Sequence, residues 1–374
     1  CSHLRNQEKR GNRNSQFPQN ELSRHSGNHR NRVQYFVHMP GDLGGDDESG
    51  ERMVEFAEQF YEKQPGNPFA KDIFVRLGDI LFDASKYPGA VRAFRHAVQY
   101  QPLAPDAPSI QDKIVQAWDR ARDFQQSGAA RDYLVSNFSE CTAWYNANKD
   151  NVEAVRTAQN LARTSLYSSA IFHHQQAQKY AGQDKLDLAK VEYEQAARGY
   201  GAYLKRFPHD KAAYELSYYL ADTLFNSLQF REAANEYAKL RDTNQGTKYR
   251  AEAAANVYFS LQKYIELEEA AGRLAARKPF ASGDVETLPP PEDIPDLKKE
   301  LIDACDKYVE RIPDDPRVPA VKAAAAEILY SYNHFDEARP RLDDVIDHYP
   351  ESPVAAVAAH YVLTYLLTKK DWVA

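Results

Sequence analysis

The side chains here that could do chemistry are 11 histidines, three cysteines and 54 Asp and Glu residues, and their spacing limits what they can do. His173-His174 is the one local histidine cluster. Adjacent residues on a helix point about 100° apart, so these two rings would need ligands from elsewhere to share a metal ion. A packed or hydrogen-bonded role is the expectation. Cys141 and Cys305 have no Cys-x-x-Cys partner, which argues against a zinc site and for two small core residues. The chain lacks a phosphate-cradling glycine loop, a Gly-x-Ser-x-Gly elbow and a paired-histidine metalloprotease helix. Carboxylates are abundant, but with 27% of residues charged their pairings are those of solvated helix faces. The expectation is a non-enzymatic protein with no cofactor, no metal and no small-molecule substrate.

The elements that position these residues repeat. Pro65, Pro208 and Pro313 are each followed by an aromatic residue 22 positions on (Tyr87, Phe230, Phe335), an alanine at 25 (Ala90, Ala233, Ala338) and a large residue at 29 (Phe94, Tyr237, Leu342). A small residue at 13 precedes an acid at 14, as Gly78-Asp79, Ala221-Asp222 and Ala326-Glu327, with leucine at 16. Two of these units close with a further proline at 37, Pro102 and Pro350. The pattern is that of stacked helical pairs. Small residues stand where two helices cross, because a larger side chain would hold the backbones apart. The large ones fill the space beside the crossing, and proline ends the second helix. Each pair leaves an apolar side open, so units must stack, and chain length sets their number. A 43% hydrophobic content drawn largely from Ala, Leu and Tyr, with only 16 glycines, favours helices.

The run Phe74-Val75-Arg76-Leu77-Gly78-Asp79-Ile80-Leu81, followed by Ala90, Phe94 and Pro102, resembles the tetratricopeptide repeat (TPR), with Phe for the usual Trp and Leu for the usual Tyr. The resemblance implies an all-α, TPR-like α-solenoid, a right-handed superhelix of antiparallel helix pairs whose first helices line a concave groove. The family's groove positions fall on Val75, Asp79, Phe82 and Asp83 in one unit, Tyr218, Asp222, Phe225 and Asn226 in a second, and Ala323, Glu327, Tyr330 and Ser331 in a third. It implies other proteins as partners. An aromatic and acidic groove suits an extended or helical segment with apolar anchors and some Lys or Arg; the alternative is that the acids solubilise an exposed surface. These positions depart from the Lys- and Asn-lined clamp that related repeats use for C-terminal carboxylates.

Along the chain, residues 1–50 read as a disordered basic tail and acidic junction. Residues 1–32 carry seven Arg or Lys against Glu8 and Glu21, near +5, leaving the remainder near −12. That acidic body argues against nucleic acid as a partner. TPR-like repeats occupy 51–278, with a first helix from Ser49 or Glu51 that sets Met53, Phe56, Phe60 and Tyr61 on one face. A degenerate unit follows Pro102, with Ser127-Gly128 in place of the alanine, and a long helix pair spans 151–207 and offers a surface the standard units lack. A further pair is expected over Tyr249–Tyr264 and Ile265–Arg277. The Pro-rich stretch 279–296 reads as an exposed linker and the best boundary in the chain. Residues 297–374 form C-terminal repeats, the last incomplete, with Trp372 at its aromatic position, so a continuation or another covering element is expected.

The chain begins Cys1-Ser2 before a polar tail, as a bacterial lipoprotein does once its signal peptide is removed and its cysteine acylated, so Cys1 is a candidate lipidation site and membrane tether; a fragment boundary is the alternative. Segments such as Tyr203–Pro208 and Tyr349–Ala355 resemble repeats of bacterial envelope proteins, the outer-membrane assembly lipoproteins and Tol-Pal-associated coordinators. That likeness implies a protein-interaction scaffold in the periplasm or at the inner face of the outer membrane of a Gram-negative cell. A regulatory module of a larger cytoplasmic protein, and a glycan or peptidoglycan binder using its 24 tyrosines, are the alternatives.

Overall fold

In the computed structural model, residues 47–64, 66–281 and 287–370 are described, and the proline-phased pattern becomes a series of antiparallel helical hairpins. A first helix begins five residues after each phasing position and a second begins at the aromatic residue: α2 (Ala70–Asp83) with α3 (Tyr87–Tyr100), α4 (Ala107–Arg120) with α5 (Phe124–Asn137), α9 (Ala213–Asn226) with α10 (Phe230–Asp242), and α13 (Val318–Ser331) with α14 (Phe335–His348). Before them lies α1 (Asp47–Glu62); between them lie α6 (Ala143–Asn148), α7 (Val152–Ala181), α8 (Leu186–Arg206), α11 (Arg250–Ala270) and α12 (Asp296–Arg311), and α15 (Pro353–Lys369) follows. The chain divides into two compact units after Ser169, within α7, and not at 279–296.

Each hairpin turns on one residue in the left-handed region. Ser85, Arg122, Leu228 and Asn333 have φ between 59° and 66°, and each stands 20 residues after its phasing proline. The amide of the next residue returns to a carbonyl five residues back: Lys86 to Leu81, Asp123 to Trp118, Gln229 to Leu224 and His334 to Leu329, at 2.8–3.1 Å. This closure satisfies carbonyls that the helix end would otherwise leave unpaired. Only glycine takes that conformation without steric cost, yet none of the four is glycine.

In the first unit the core is Val54, Ala57, Tyr61, Phe74, Leu81, Phe94, Ile114, Leu134 and Trp144. At the crossing of α2 and α3, a Cβ on Gly78 would stand 2.5 Å from the Phe94 ring. The buried stripe of α1 is Val54, Ala57 and Tyr61, while Phe56 is 60% exposed and does not share the face expected of it. The helix also starts at Asp47, inside the segment assigned to the tail and junction; Cys1 and the rest of the tail lie outside the described residues. In the degenerate unit, Ser127 takes the place of alanine at 0% exposure by donating its hydroxyl to Asp119 at 2.5 Å. Cys141 is exposed with φ 69°, so it is not the small core residue expected. Cys305 is, at 1%.

In the second unit, the expected pair over 249–277 is a single helix, α11. Its buried stripe Ala253, Ala254, Val257, Tyr258, Leu261 and Ile265 passes Tyr264 without a breaker, and the helix runs on to Ala270, with Gly272 at φ 70° just beyond its end. The partner of α11 is therefore α12, and 271–295 is the connection inside that hairpin. The Pro-rich stretch is not a free linker. Ile294 is 7% exposed, Phe280 lies 5.7 Å from Phe335, and the α13–α14 turn is bonded to this segment through Asn333 Nδ2 donating to the Pro290 carbonyl at 3.0 Å and Glu292 N–H to the Tyr332 carbonyl at 2.9 Å. The long helices 152–181 and 186–206 form as expected, closing where a Cβ on Gly199 would meet Ala170 at 2.9 Å. Trp372 lies outside the described residues. No helix among the described residues is long and apolar enough to cross a membrane.

Two substitutions separate these constraints. Gly78→Ala drives a methyl into a buried ring and should destabilise the protein by roughly 1–3 kcal/mol. Leu228→Gly, at an exposed left-handed turn, should stabilise it by about 0.5 kcal/mol. Urea unfolding followed by far-UV circular dichroism checks both signs.

Candidate protein-interaction surface

The groove positions occupy the first helices of their hairpins, and their surroundings differ between the two units. On α2, Val75, Asp79 and Phe82 are half-buried and Asp83 is exposed. Lys113 of α4 bonds Asp79 at 2.6 Å and also stands over the Phe94 ring, so the carboxylate is answered within the fold. Phe82 packs edge-on against Tyr87 at 5.6 Å. What remains open on α2 is one aromatic edge and the Asp83 carboxylate.

On α9, Tyr218, Asp222 and Phe225 are half-buried and Asn226 is exposed. Tyr218 stacks on Tyr249 with centroids 4.2 Å apart and 10° between planes, and donates its hydroxyl to Glu252 at 2.6 Å. Tyr249 in turn donates to Glu215 at 2.9 Å. Phe225 meets Phe230 edge-on at 5.1 Å, and Asn226 Nδ2 donates to the Asp222 carbonyl. Asp222 lies 3.7 Å from His174, whose ring is 7% exposed among Tyr193, Tyr200 and Tyr219. His174 also shares a 3.0 Å bond with the Tyr200 hydroxyl, and His173 a 2.6 Å contact with Glu192. The two histidines thus face different partners.

On α13, Ala323 and Ser331 are half-buried and Glu327 is exposed. Tyr330 is not a groove residue: at 1% exposure it is a core side chain, stacked on Tyr361 of α15 at 4.8 Å and edge-on to Phe335 at 5.0 Å. Position 17 after the proline faces outward as Phe82 and Phe225, but α15 packs on α13 and covers it. Burial, and then the nearby Glu327 carboxylate, raise Tyr361 above its ordinary value.

These contacts follow a register. Asp79–Lys113, Tyr218–Glu252 and Glu215–Tyr249 each join first helices across 34 residues, and on second helices Glu58–Arg92 spans 34 and Asp306–Arg341 spans 35. With units spaced by 37 residues, each partner sits about one helical turn before the equivalent position. Glu252 and Tyr249 were missed by sequence reasoning because the unit ending at Thr243 closes without a proline and α11 was divided in two. A step of 34 from Tyr218 would have found Glu252.

The surroundings perturb the tyrosines. Burial first, then the Glu252 hydrogen bond, pushes Tyr218 above its ordinary value. Tyr237 is raised by burial and by Asp222. Tyr219 is pushed up to about 12 by burial and Glu215, and Tyr258 up to about 12 chiefly by burial, with Cys305, Glu327 and Glu266 adding to it. The Tyr249 hydroxyl, followed by Lys248 and Tyr219, holds Glu215 below the usual carboxylate range. The arrangement sets aromatic rings beside carboxylates on α9.

No family model matches the chain, and no curated protein does. Among solved structures it is similar to PilW, a widely conserved type IV pilus biogenesis factor, at 10% identity over 79% of this chain and 100% of that one, TM-score 0.29. The TPR2AB domain of yeast Sti1 in its pHSP90 complex follows at 11% over 81% and 100%, TM-score 0.25. The yeast Tom70 structure gives 13% over 91% and 72%, TM-score 0.22. At such identities and superpositions the likeness assigns neither partner nor compartment.

The tyrosines make alkaline stability a test of the packing. Their folded-state values lie above the ordinary value, so the folded protein holds protons that the unfolded chain releases, and stability falls as pH rises above about 10. The last part of the tyrosinate absorbance rise, that of buried rings such as Tyr218, Tyr219, Tyr237 and Tyr258, should coincide with loss of helicity. Complete tyrosinate absorbance with helicity intact would contradict this packing.

Proposed function

We propose that this chain is a non-enzymatic scaffold whose first-helix faces hold a segment of another protein. One observation carries the reading: side chains at matched positions on a first helix of each unit, Phe82 and Asp83 on α2 and Phe225 and Asn226 on α9, are aromatic or polar and remain half-buried or exposed. Within each unit, stacked helical pairs present such positions as a ligand face. The setting we infer, from the sequence alone, is a Gram-negative envelope assembly. The glycan alternative has little support, since Tyr61, Tyr200, Tyr237, Tyr308 and Tyr330 are all at 1% exposure or less and cannot serve as stacking platforms.

Asp83→Arg with Asn226→Arg places two bulky cations on exposed sites of these faces. Affinity capture from the source cells, read by mass spectrometry, should lose a specific protein that the unaltered chain retains, with the thermal midpoint unchanged. An identical set of captured proteins would overturn binding through these faces.

A further inference from the structure

His334, at the end of the α13–α14 turn, has both ring nitrogens engaged. Nε2 stands 2.8 Å from the Glu292 carbonyl on the Pro-rich strap, and Nδ1 stands 2.9 Å from the Glu337 carboxylate on α14. A carbonyl oxygen and an ionised carboxylate only accept hydrogen bonds, so each nitrogen has to donate. A neutral imidazole has one N–H and an imidazolium has two. The two bonds therefore coexist only while the ring carries its second proton.

The other contacts of the strap hold without that proton. Asn333 Nδ2 donates to the Pro290 carbonyl at 3.0 Å, the Glu292 amide donates to the Tyr332 carbonyl at 2.9 Å, and Arg277 pairs with the Glu292 carboxylate. The charged groups about the turn are Glu337 on α14, Glu292 and Asp293 on the strap, Arg277 ahead of it, and Lys298 of α12, which stands over the Tyr332 ring at 5.8 Å and pairs with Glu269. Among these residue types only histidine ordinarily changes charge between pH 5 and 8.

Once the ring is neutral, two tautomers compete for its single N–H. A proton on Nε2 keeps the strap bond but turns a bare Nδ1 toward the Glu337 carboxylate. A proton on Nδ1 keeps the charge-assisted bond to Glu337 and leaves the Glu292 carbonyl without its donor. We propose that His334 is an acid-strengthened clasp, tying residues 287–295 to the α13–α14 turn when protonated and loosening them when it must share one N–H with Glu337. The added bond is present at acid pH and is lost as pH rises through the ring's titration. Pro289, Pro290, Pro291 and Pro295 have no amide to donate, so the strap has few bonds of its own to replace it. What it holds in place is apolar: Ile294 is 7% exposed and Leu288 packs against the cluster that contains Tyr332 and Phe335.

Hydrogen–deuterium exchange of the intact chain at pH 5 and pH 8 tests this, read by mass spectrometry on a peptide containing 288–295 and corrected for the intrinsic rate at each pH. The prolines contribute no signal, so the peptide reports on few amides, that of Glu292 among them. Its protection should fall about fivefold from pH 5 to pH 8, with a peptide from α13 unchanged. In Glu337→Gln the side-chain amide can donate to the unprotonated Nδ1 and keep the proton on Nε2, so the strap should stay protected at both pH values. His334→Ala should show the weaker protection at both. Protection independent of pH in the unaltered chain, or a pH dependence that persists in Glu337→Gln, would overturn the proposal.

Discussion

The close crossing of two helices at a small residue is the constraint on which the rest depends. Gly78 admits the Phe94 ring because it has no Cβ to meet it, and Ala221 and Ala326 sit at 0% exposure at the equivalent points. Across each crossing, Phe94, Tyr237 and Leu342 fill the gap at 1–2% exposure. Interiors packed this closely tolerate little change in volume, so the crossing fixes the angle and distance of each hairpin. The left-handed turn residue follows from it, since helices that approach so closely must be joined by a tight closure even where Ser, Arg, Leu or Asn supplies it.

Once the crossings are fixed, the first helices are left with a face that the core does not consume. How that face is used differs between the units. On α2 the acid is neutralised by Lys113 of the next first helix. On α9 and α13 the same position meets histidine or tyrosine and keeps its charge uncompensated by Lys or Arg among the described residues. A hydroxyl can donate to a carboxylate without cancelling its charge, so Asp222 and Glu327 keep a negative potential that Lys113 offsets at Asp79.

Much of the fold could be read from residue spacing. The helix starts at Ala70, Ala107, Ala213 and Val318, and the long pair 152–181 and 186–206, follow from the proline phase and the apolar stripe. The errors have local causes. The division of α11 came from expecting every unit to keep the repeat length, although no breaker stands near Tyr264. Phe56 was placed on the buried face by residue type, but α1 turns Val54 and Ala57 inward instead. The proline run suggested a linker because proline favours extended chain; its carbonyls still accept hydrogen bonds, and Asn333 uses one.

The candidate surface was legible only in part. Position in the repeat located Asp79, Tyr218, Asp222 and Glu327, because helical period and hairpin phase are local properties of the chain. Which of them stay open depended on what the following helix brings up to them: Lys113 beside Asp79, Glu252 beside Tyr218, and Tyr361 over Tyr330. The sequence by itself determined the proline-phased helical pairs and the long pair 152–181 and 186–206, since these rest on contacts within one repeat. Tertiary structure alone decided exposure and charge compensation, because both arise from side chains 31 to 34 residues away, brought into contact only when one hairpin stacks on the next.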